Sequence, residues 1–151
     1  MKLSLFVIIL FLVFNLSAQV APEALTQKTS SVTIGILQGG GSLLGADFES
    51  LVHNRLGLQL GAGLYSLGGG INYHLSNSIR SSFISFQYSR LGIGNQFMFS
   101  TFGPNYVYRG KKWLTAQFGL GYVMEKGTYN PTKMVITPVQ LIVAIGAYFP
   151  I

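Results

Sequence analysis

Residues 55–65 read RLGLQLGAGLY, and this stretch decides the fold. Leucine or alanine occupies every second position, and arginine, glycine, glutamine and tyrosine occupy the positions between them. Successive side chains of a β-strand point to opposite faces, whereas an α-helix brings every third or fourth residue to one face. The unbroken alternation therefore predicts a β-strand with one apolar face and one face of polar or small residues.

The same alternation recurs along the chain from residue 31 onward. In 113–125, for example, Leu114, Phe118 and Leu120 alternate with Thr115 and Gln117. Segments of ~9–11 residues with this pattern are typical of transmembrane β-strands. The sequence thus predicts an all-β fold, a closed antiparallel up-and-down transmembrane barrel of about eight strands over residues 31–151. The predicted strands are 32–38, 44–52, 55–65, 68–75, 82–90, 96–108, 113–125 and 135–149.

Composition favours a membrane barrel over a soluble one. Only 9% of the residues are charged, whereas soluble domains carry about 25%. Beyond residue 18 no apolar run approaches the roughly 18 residues of a membrane-spanning helix. The second face of the strands is mostly glycine, serine, glutamine and asparagine, which suits a narrow lumen. We therefore expect the apolar face to point outward, toward lipid, at Leu56, Leu58, Leu60, Leu64, Leu114, Phe118, Leu120, Leu141, Val143 and Ile145.

Closure of the barrel requires the first and last predicted strands, 32–38 and 135–149, to pair. An open sheet would leave two unpaired edges in lipid. An even number of strands places both ends of the barrel chain at the periplasmic side. The turns predicted at that side are 53–54, 76–78 and 110–112, and those at the outer side are 39–42, 66–67, 92–95 and 126–133. The outer loops are short for a receptor or an adhesin.

The first residues have the order of a secretory signal peptide. A positive start at Met1-Lys2 precedes an apolar stretch over 3–16 and the small residues Ser17-Ala18. This order is that of an exported protein whose leader is removed, and the apolar stretch is too short for an anchor. We predict a signal peptide over 1–18, a polar lead-in over 19–30 and export to the outer membrane.

Three features resemble a known family: the signal end Ser17-Ala18-Gln19, the segment GPNYVYRGKKW at 103–113 and the GLGY at 119–122. Together they look like the small outer-membrane β-barrel proteins of the porin-like superfamily common in Bacteroidetes-type bacteria. The resemblance covers residues 31–151 in pattern and implies an outer-membrane location without a defined activity. Such barrels commonly end on an aromatic residue. This chain ends with Pro150-Ile151, so Phe149 would be a displaced equivalent.

The predicted turns imply a polar layer inside the barrel. A three-residue turn at 52–54 pairs Asp47 with Gln59, and a two-residue turn at 66–67 pairs Gln59 with His74. These three residues then form one row with opposed Cβ atoms roughly 4.5–5.5 Å apart, and Arg55 becomes a diagonal neighbour of Glu49. A buried carboxylate needs such partners. The candidate lumen layer is Asp47, Glu49, Arg55, Gln59, Asn72 and His74.

The remaining motifs give no sign of a cofactor. The glycine runs 39–41 and 68–70 lack the following helix and lysine of a phosphate loop, so they are interpreted as turn and strand-packing positions. His53 and His74, with four carboxylates in the chain, make a poor metal-ligand set. The basic residues are scattered singly apart from 111–112, which argues against nucleic-acid binding. We expect no metal, cofactor or nucleic-acid partner.

The function that this pattern favours is a structural or interaction role in the outer membrane. The partners would be outer-membrane lipid and, during biogenesis, the barrel-assembly machinery. Three alternatives stay open: a small-solute transport pore, an outer-membrane lipid-modifying enzyme and a soluble exported lipid-carrier barrel. An enzyme would need a nucleophile next to a base that a third group orients. His74 is the candidate base, but it lies near the predicted periplasmic end rather than at the outer leaflet. An enzymatic role is therefore not expected, and the sequence leaves the oligomeric state open.

Overall fold

The computed structural model describes residues 28–129 and 135–151, and in these residues eight antiparallel strands form a closed barrel. Each strand pairs with its neighbours in sequence, as the alternation predicted. The signal segment 1–18 and most of the lead-in 19–30 lie outside the described residues. The strands are β1 (Ser30–Ile36), β2 (Leu44–His53), β3 (Leu56–Gly63), β4 (Ser66–His74), β5 (Phe83–Leu91), β6 (Phe99–Arg109), β7 (Leu114–Lys126) and β8 (Val139–Pro150).

The barrel closes between β1 and β8, which confirms the predicted pairing. The ladder runs from Ser31 opposite Pro150 to Ile36 opposite Ile145. Its antiparallel sense brings the start of β1 and the end of β8 to the same end of the barrel, here called the lower end. The opposite end, where β1 leads into β2, is called the upper end.

The polarity of the barrel is the reverse of that of a water-soluble domain. All ten apolar residues predicted to face outward are between 40% and 61% exposed, which confirms the predicted direction of the strand faces. The residues that alternate with them along each strand point polar side chains into the barrel, and these side chains fill the interior tightly. Those buried there include Ser31, Thr33, Asp47, Glu49, Gln59, Asn72, His74, Ser85, Gln87, Ser100, Thr101, Asn105, Arg109, Thr115 and Gln117.

The β3–β4 turn differs from the predicted one. The turn is formed by Leu64 and Tyr65, not by 66–67, and Ser66 already belongs to β4. Ser66 is fully buried, and its hydroxyl donates a hydrogen bond to the backbone carbonyl of Gly39 inside the barrel. This anchor pulls Ser66 into the strand. Gln59 consequently lies opposite Gly70 rather than His74, so the predicted register is wrong although each residue keeps its predicted face.

The position of the β2–β3 turn and a β-bulge together explain the second error of register. The β2–β3 ladder shifts between Leu51 and His53, and the two turn residues are Asn54 and Arg55. A bulge sets two residues of one strand against one residue of the other. Gln59 therefore lies opposite Glu49, not Asp47.

The β1–β2 connection folds into the barrel instead of forming the predicted outer turn at 39–42. This plug segment (residues 37–43) contains the short helical stretch α1 (Gln38–Gly41). Gly39 has φ +66°, and a Cβ there would collide with the carbonyl of Ala62 on the barrel wall. Gly61, on that wall, in turn leaves room for the Cα of Gly39. Only glycines allow so close an approach of backbone to backbone.

The helical content of the described chain is confined to α1 and a 3-10 turn at Gly94–Gln96. In the part of the chain that the structure describes, no helix is long and apolar enough to cross a bilayer.

Candidate functional site

A cluster of buried polar side chains occupies the lower half of the barrel interior. It consists of Glu49 on β2, Asn72 and His74 on β4, and Arg109 on β6, and is called the buried polar cluster. Each of the four is at most 7% exposed. Alternation alone brings them inside, since each lies at an inward position of its strand. Strand pairing then brings the four side chains together.

Glu49 is the centre of this cluster. Arg109 Nη2 lies 2.7 Å from Glu49 Oε2, and His74 Nε2 lies 2.9 Å from Glu49 Oε1. Asn72 Nδ2 donates a further hydrogen bond to Oε1. A carboxylate removed from water is tolerated only when charges and donors surround it. The cluster supplies both.

Arg109 joins the cluster to four other parts of the chain. Its Nη1 donates to the carbonyl of Ile79, and its Nη2 donates to Ser31 Oγ at 2.9 Å. The guanidinium lies 5.0 Å from the ring centre of Phe83 and 4.8 Å from that of Tyr148. Ile79 belongs to the β4–β5 loop and is almost fully buried. Arg109 thus holds this loop under the lower end of the barrel and ties it to β1 and β2.

Amide side chains fill the middle of the lumen in a hydrogen-bonded chain. Asn72 Nδ2 donates to Gln59 Oε1 at 3.0 Å, and Gln87 Nε2 donates to the same oxygen at 3.2 Å. Gln117 Nε2 donates to Gln87 Oε1 at 2.7 Å, which carries the chain across the barrel to β7. The cavity beside these groups measures about 10 Å³. A space of that size holds a single water molecule at most.

The upper half contains the plug segment and one larger cavity. Gly39 N donates to Asp47 Oδ2 at 3.1 Å, which fixes the plug segment to β2. Between the plug segment and strands β5 to β8 lies a cavity of about 240 Å³, here called the outer cavity. Its polar lining includes Gln38, Asp47, Gln87 and Gln117.

Five of the six predicted layer residues lie inside the barrel, and one does not. Asp47, Glu49, Gln59, Asn72 and His74 are buried. Arg55 is exposed in the β2–β3 turn, where its Nε donates to Asn77 Oδ1 at 2.8 Å, so its predicted place beside Glu49 is wrong. The turn consists of Asn54 and Arg55 rather than residues 52–54, and Arg55 is therefore outside the strand. The predicted row through Asp47, Gln59 and His74 is also wrong, because Gln59 lies opposite Glu49 and Gly70 in the observed registers.

The prediction missed Arg109, which supplies the positive charge expected of Arg55. The predicted strand 96–108 stopped one residue short of it. Extending the inward positions Asn105 and Val107 by one more step would have placed Arg109 inside the barrel, opposite the acidic strand β2. The signal was present in the sequence, but only pairing across the lumen shows which arginine meets Glu49.

His74 also contacts a hydroxyl group, so the cluster has the connectivity of a nucleophile, a base and an orienting acid. Ser81 Oγ lies 3.1 Å from His74 Nδ1, and Glu49 is bound to the other ring nitrogen. The Ser81 hydroxyl is engaged in its own loop, however, with the carbonyl and the N–H of Ser76. Neither the outer cavity nor the small lumen cavity is lined by Ser81. The arrangement therefore favours a loop-fastening role over a catalytic one.

Metal binding finds no support in residues 28–129 and 135–151, where no group of three or more His, Cys, Asp or Glu side chains is placed to hold an ion. Comparisons with protein families, with curated proteins and with solved structures found no match to this chain.

Proposed function

We propose that the protein is an outer-membrane β-barrel of the porin-like type whose role is structural or interactive rather than catalytic. The observation that carries this proposal is the reversed polarity: a wall of exposed leucine, isoleucine, valine and aromatic side chains encloses a polar interior. Lipid stabilises such a wall, whereas in water the wall would be a continuous apolar surface exposed to the solvent. Export would follow from the predicted signal peptide over 1–18.

Exposed aromatic side chains support this location. Tyr73, Tyr108, Trp113 and Phe149 lie on the outer wall toward the lower end. Aromatic rings favour the boundary between hydrocarbon and head groups, and they form girdles around membrane barrels. Phe149 additionally offers an outward aromatic ring near the end of β8, as the proposed recognition by the barrel-assembly machinery requires.

The barrel does not act as an open pore under this proposal. The buried polar cluster and the amide chain fill the lower and middle lumen, and the plug segment enters from the upper end. Barrels of about eight strands have interiors that side chains fill. The protein therefore acts through its outer wall and its upper end, as a membrane-embedded scaffold or interaction partner.

Membrane fractionation combined with a heat-modifiability gel tests the proposal. We expect the mature chain in the outer-membrane fraction after an alkaline wash, and we expect unheated and boiled samples to migrate differently because the closed barrel resists the detergent. A chain that is soluble after osmotic shock would contradict the location, and identical migration would contradict the closed barrel. Liposomes containing the refolded protein should show no solute uptake above empty liposomes.

A further inference from the structure

The barrel wall is incomplete at the upper end. β1 ends at Ile36, opposite Ile145 of β8. Residues 139–144 of β8 continue upward and pair with β7, but the structure as described has no strand pairing with them on the β1 side. The chain that could have paired there turns inward as the plug segment. The resulting gap between the plug segment and residues 139–144 is called the lateral notch.

The outer cavity abuts this notch, since residues 140–143 of β8 and Leu37 of the plug segment both line it. Its lining includes Leu141 and Val143, whose side chains are exposed on the outer wall. Leu37, at the start of the plug segment, lies on the other side of the cavity and is itself partly exposed. The cavity thus lies directly behind the unpaired edge of β8, between this edge and the plug segment.

The two ends of the cavity differ in chemistry. Next to the notch the lining includes the apolar residues Leu37 and Ile142, and toward the lumen it offers the amides of Gln87 and Gln117. Among the described residues, those that line the cavity include no lysine or arginine. Arg90 lies nearby in sequence, but its guanidinium stacks over the Phe97 ring at 4.2 Å and is not part of the lining.

Charge selects the head group of a ligand for this site. Asp47 is the acidic group of the lining, and its carboxylate has no arginine or lysine beside it there. An anionic phosphate or carboxylate head would find no counter-charge among the described lining residues, which is unfavourable in a desolvated cavity. A neutral head with hydroxyl groups matches the amide and carboxylate acceptors.

The unpaired edge of β8 is a second reason to expect a ligand in the lateral notch. Backbone polar groups that face hydrocarbon must find partners, because lipid tails offer none. A hydroxyl-bearing head seated in the notch can hydrogen-bond to this edge while its chain lies against the apolar wall. The cavity of about 240 Å³ is smaller than the roughly 300–1,000 Å³ of sites that enclose a whole drug-sized ligand. It therefore suits a head group and the start of a chain.

We propose that the outer cavity and the lateral notch bind a single-chain amphiphile with an uncharged, hydroxyl-bearing head, taken laterally from the surrounding lipid layer. The proposal rests on the membrane location proposed above. It assigns the barrel a binding function at its upper end. The probe that represents this chemistry is a monoacylglycerol, and the fatty acid of the same chain is its anionic counterpart.

Fluorescence quenching tests this proposal because the chain has a single tryptophan. Trp113 lies just before β7, at the lower end and away from the cavity, whereas Phe99 lines the cavity. The variant Trp113→Phe/Phe99→Trp moves the only indole into the site. In refolded protein in micelles, a monoacylglycerol with a brominated chain should quench this indole in a saturable way. In the wild-type protein the same probe should quench Trp113 only in proportion to its micellar concentration.

Two further comparisons define the site. The brominated fatty acid, under conditions where it is ionised, should bind at least about tenfold more weakly. In the Trp113→Phe/Phe99→Trp protein, the additional substitution Ile142→Phe fills the cavity and should abolish saturable quenching. Leu120→Phe changes a neighbouring residue on the outer wall and should leave it intact. Ile142 lines the cavity, whereas Leu120 points outward.

Several results would overturn the inference. These are non-saturable quenching at position 99, equal binding of the fatty acid, an unaffected Ile142→Phe variant, or a dimer whose partner copy occupies the notch. A heat-modifiability gel on the same samples separates the two proposals. Failure of binding in a barrel that still shifts on the gel refutes the amphiphile site alone, whereas loss of the gel shift refutes the membrane barrel.

Discussion

Replacing Arg109 by leucine removes the guanidinium that forms an ion pair with the buried carboxylate of Glu49. The variant also loses the hydrogen bonds of the guanidinium to Ser31 Oγ and to the Ile79 carbonyl. Breaking a buried ion pair by removing one partner costs about 3–5 kcal/mol, because the other charge stays buried. We expect the free energy of unfolding of Arg109→Leu to fall by about this amount.

Urea-induced unfolding in lipid vesicles or micelles, followed by the fluorescence of Trp113, measures this loss. Arg55→Leu is the matched control, because Arg55 is exposed and its hydrogen bond to Asn77 lies outside the barrel. The control should lose at most about 1 kcal/mol. The double variant Glu49→Gln/Arg109→Leu should lose less stability than the sum of its two single variants, because it leaves no unpaired charge at either of these positions. Equal losses for Arg109→Leu and Arg55→Leu would refute the role assigned to the buried polar cluster.

Three other predictions follow from the fold. Gly39→Ala should destabilise the barrel more than Gly41→Ala, because both glycines have positive φ but only the Cβ at Gly39 collides with the wall. In urea unfolding, Gly41→Ala should lower the free energy of unfolding by only about 1–2 kcal/mol. Equal losses for the two variants would argue against the inward plug segment. Leu60→Lys, in the middle of β3, should lower the stability in vesicles by about 2–4 kcal/mol, whereas no loss would argue against lipid contact. Mass spectrometry of the mature protein should show Gln19 as the first residue, and a chain that keeps 1–18 would contradict the signal peptide.

The fold followed from local alternation, because a period of two depends only on neighbouring residues. Residues 55–65 illustrate this: every leucine there faces outward as predicted. The register of the strand pairs could not be predicted from alternation alone. The bulge between Leu51 and His53 and the anchoring of Ser66 by Gly39 each shift a pairing, and both arise from contacts that alternation does not encode.

The candidate site likewise has features that alternation predicts and features that it does not. Inward residues such as Glu49 and His74 were predictable from their strand positions. The partner of Glu49 was not, because Arg109 reaches it across the lumen from a strand far away in sequence. The plug segment was missed because its glycines also fit an ordinary turn. Only the facing glycine Gly61 shows that the wall leaves space for it.

A spin-label scan along β3 tests the central claim that the apolar wall faces lipid. The chain has no cysteine, so single cysteines can be introduced at the outward positions of Leu56–Gly63, and at Gln59 for comparison, without background labelling. In reconstituted vesicles, labels at Leu56, Leu58, Leu60 and Ala62 should collide with dissolved oxygen and avoid a water-soluble nickel chelate. A label at Gln59, which points into the barrel, should be shielded from oxygen. Collision of the outward labels mainly with the nickel chelate, or a scan without a period of two, would contradict the membrane barrel.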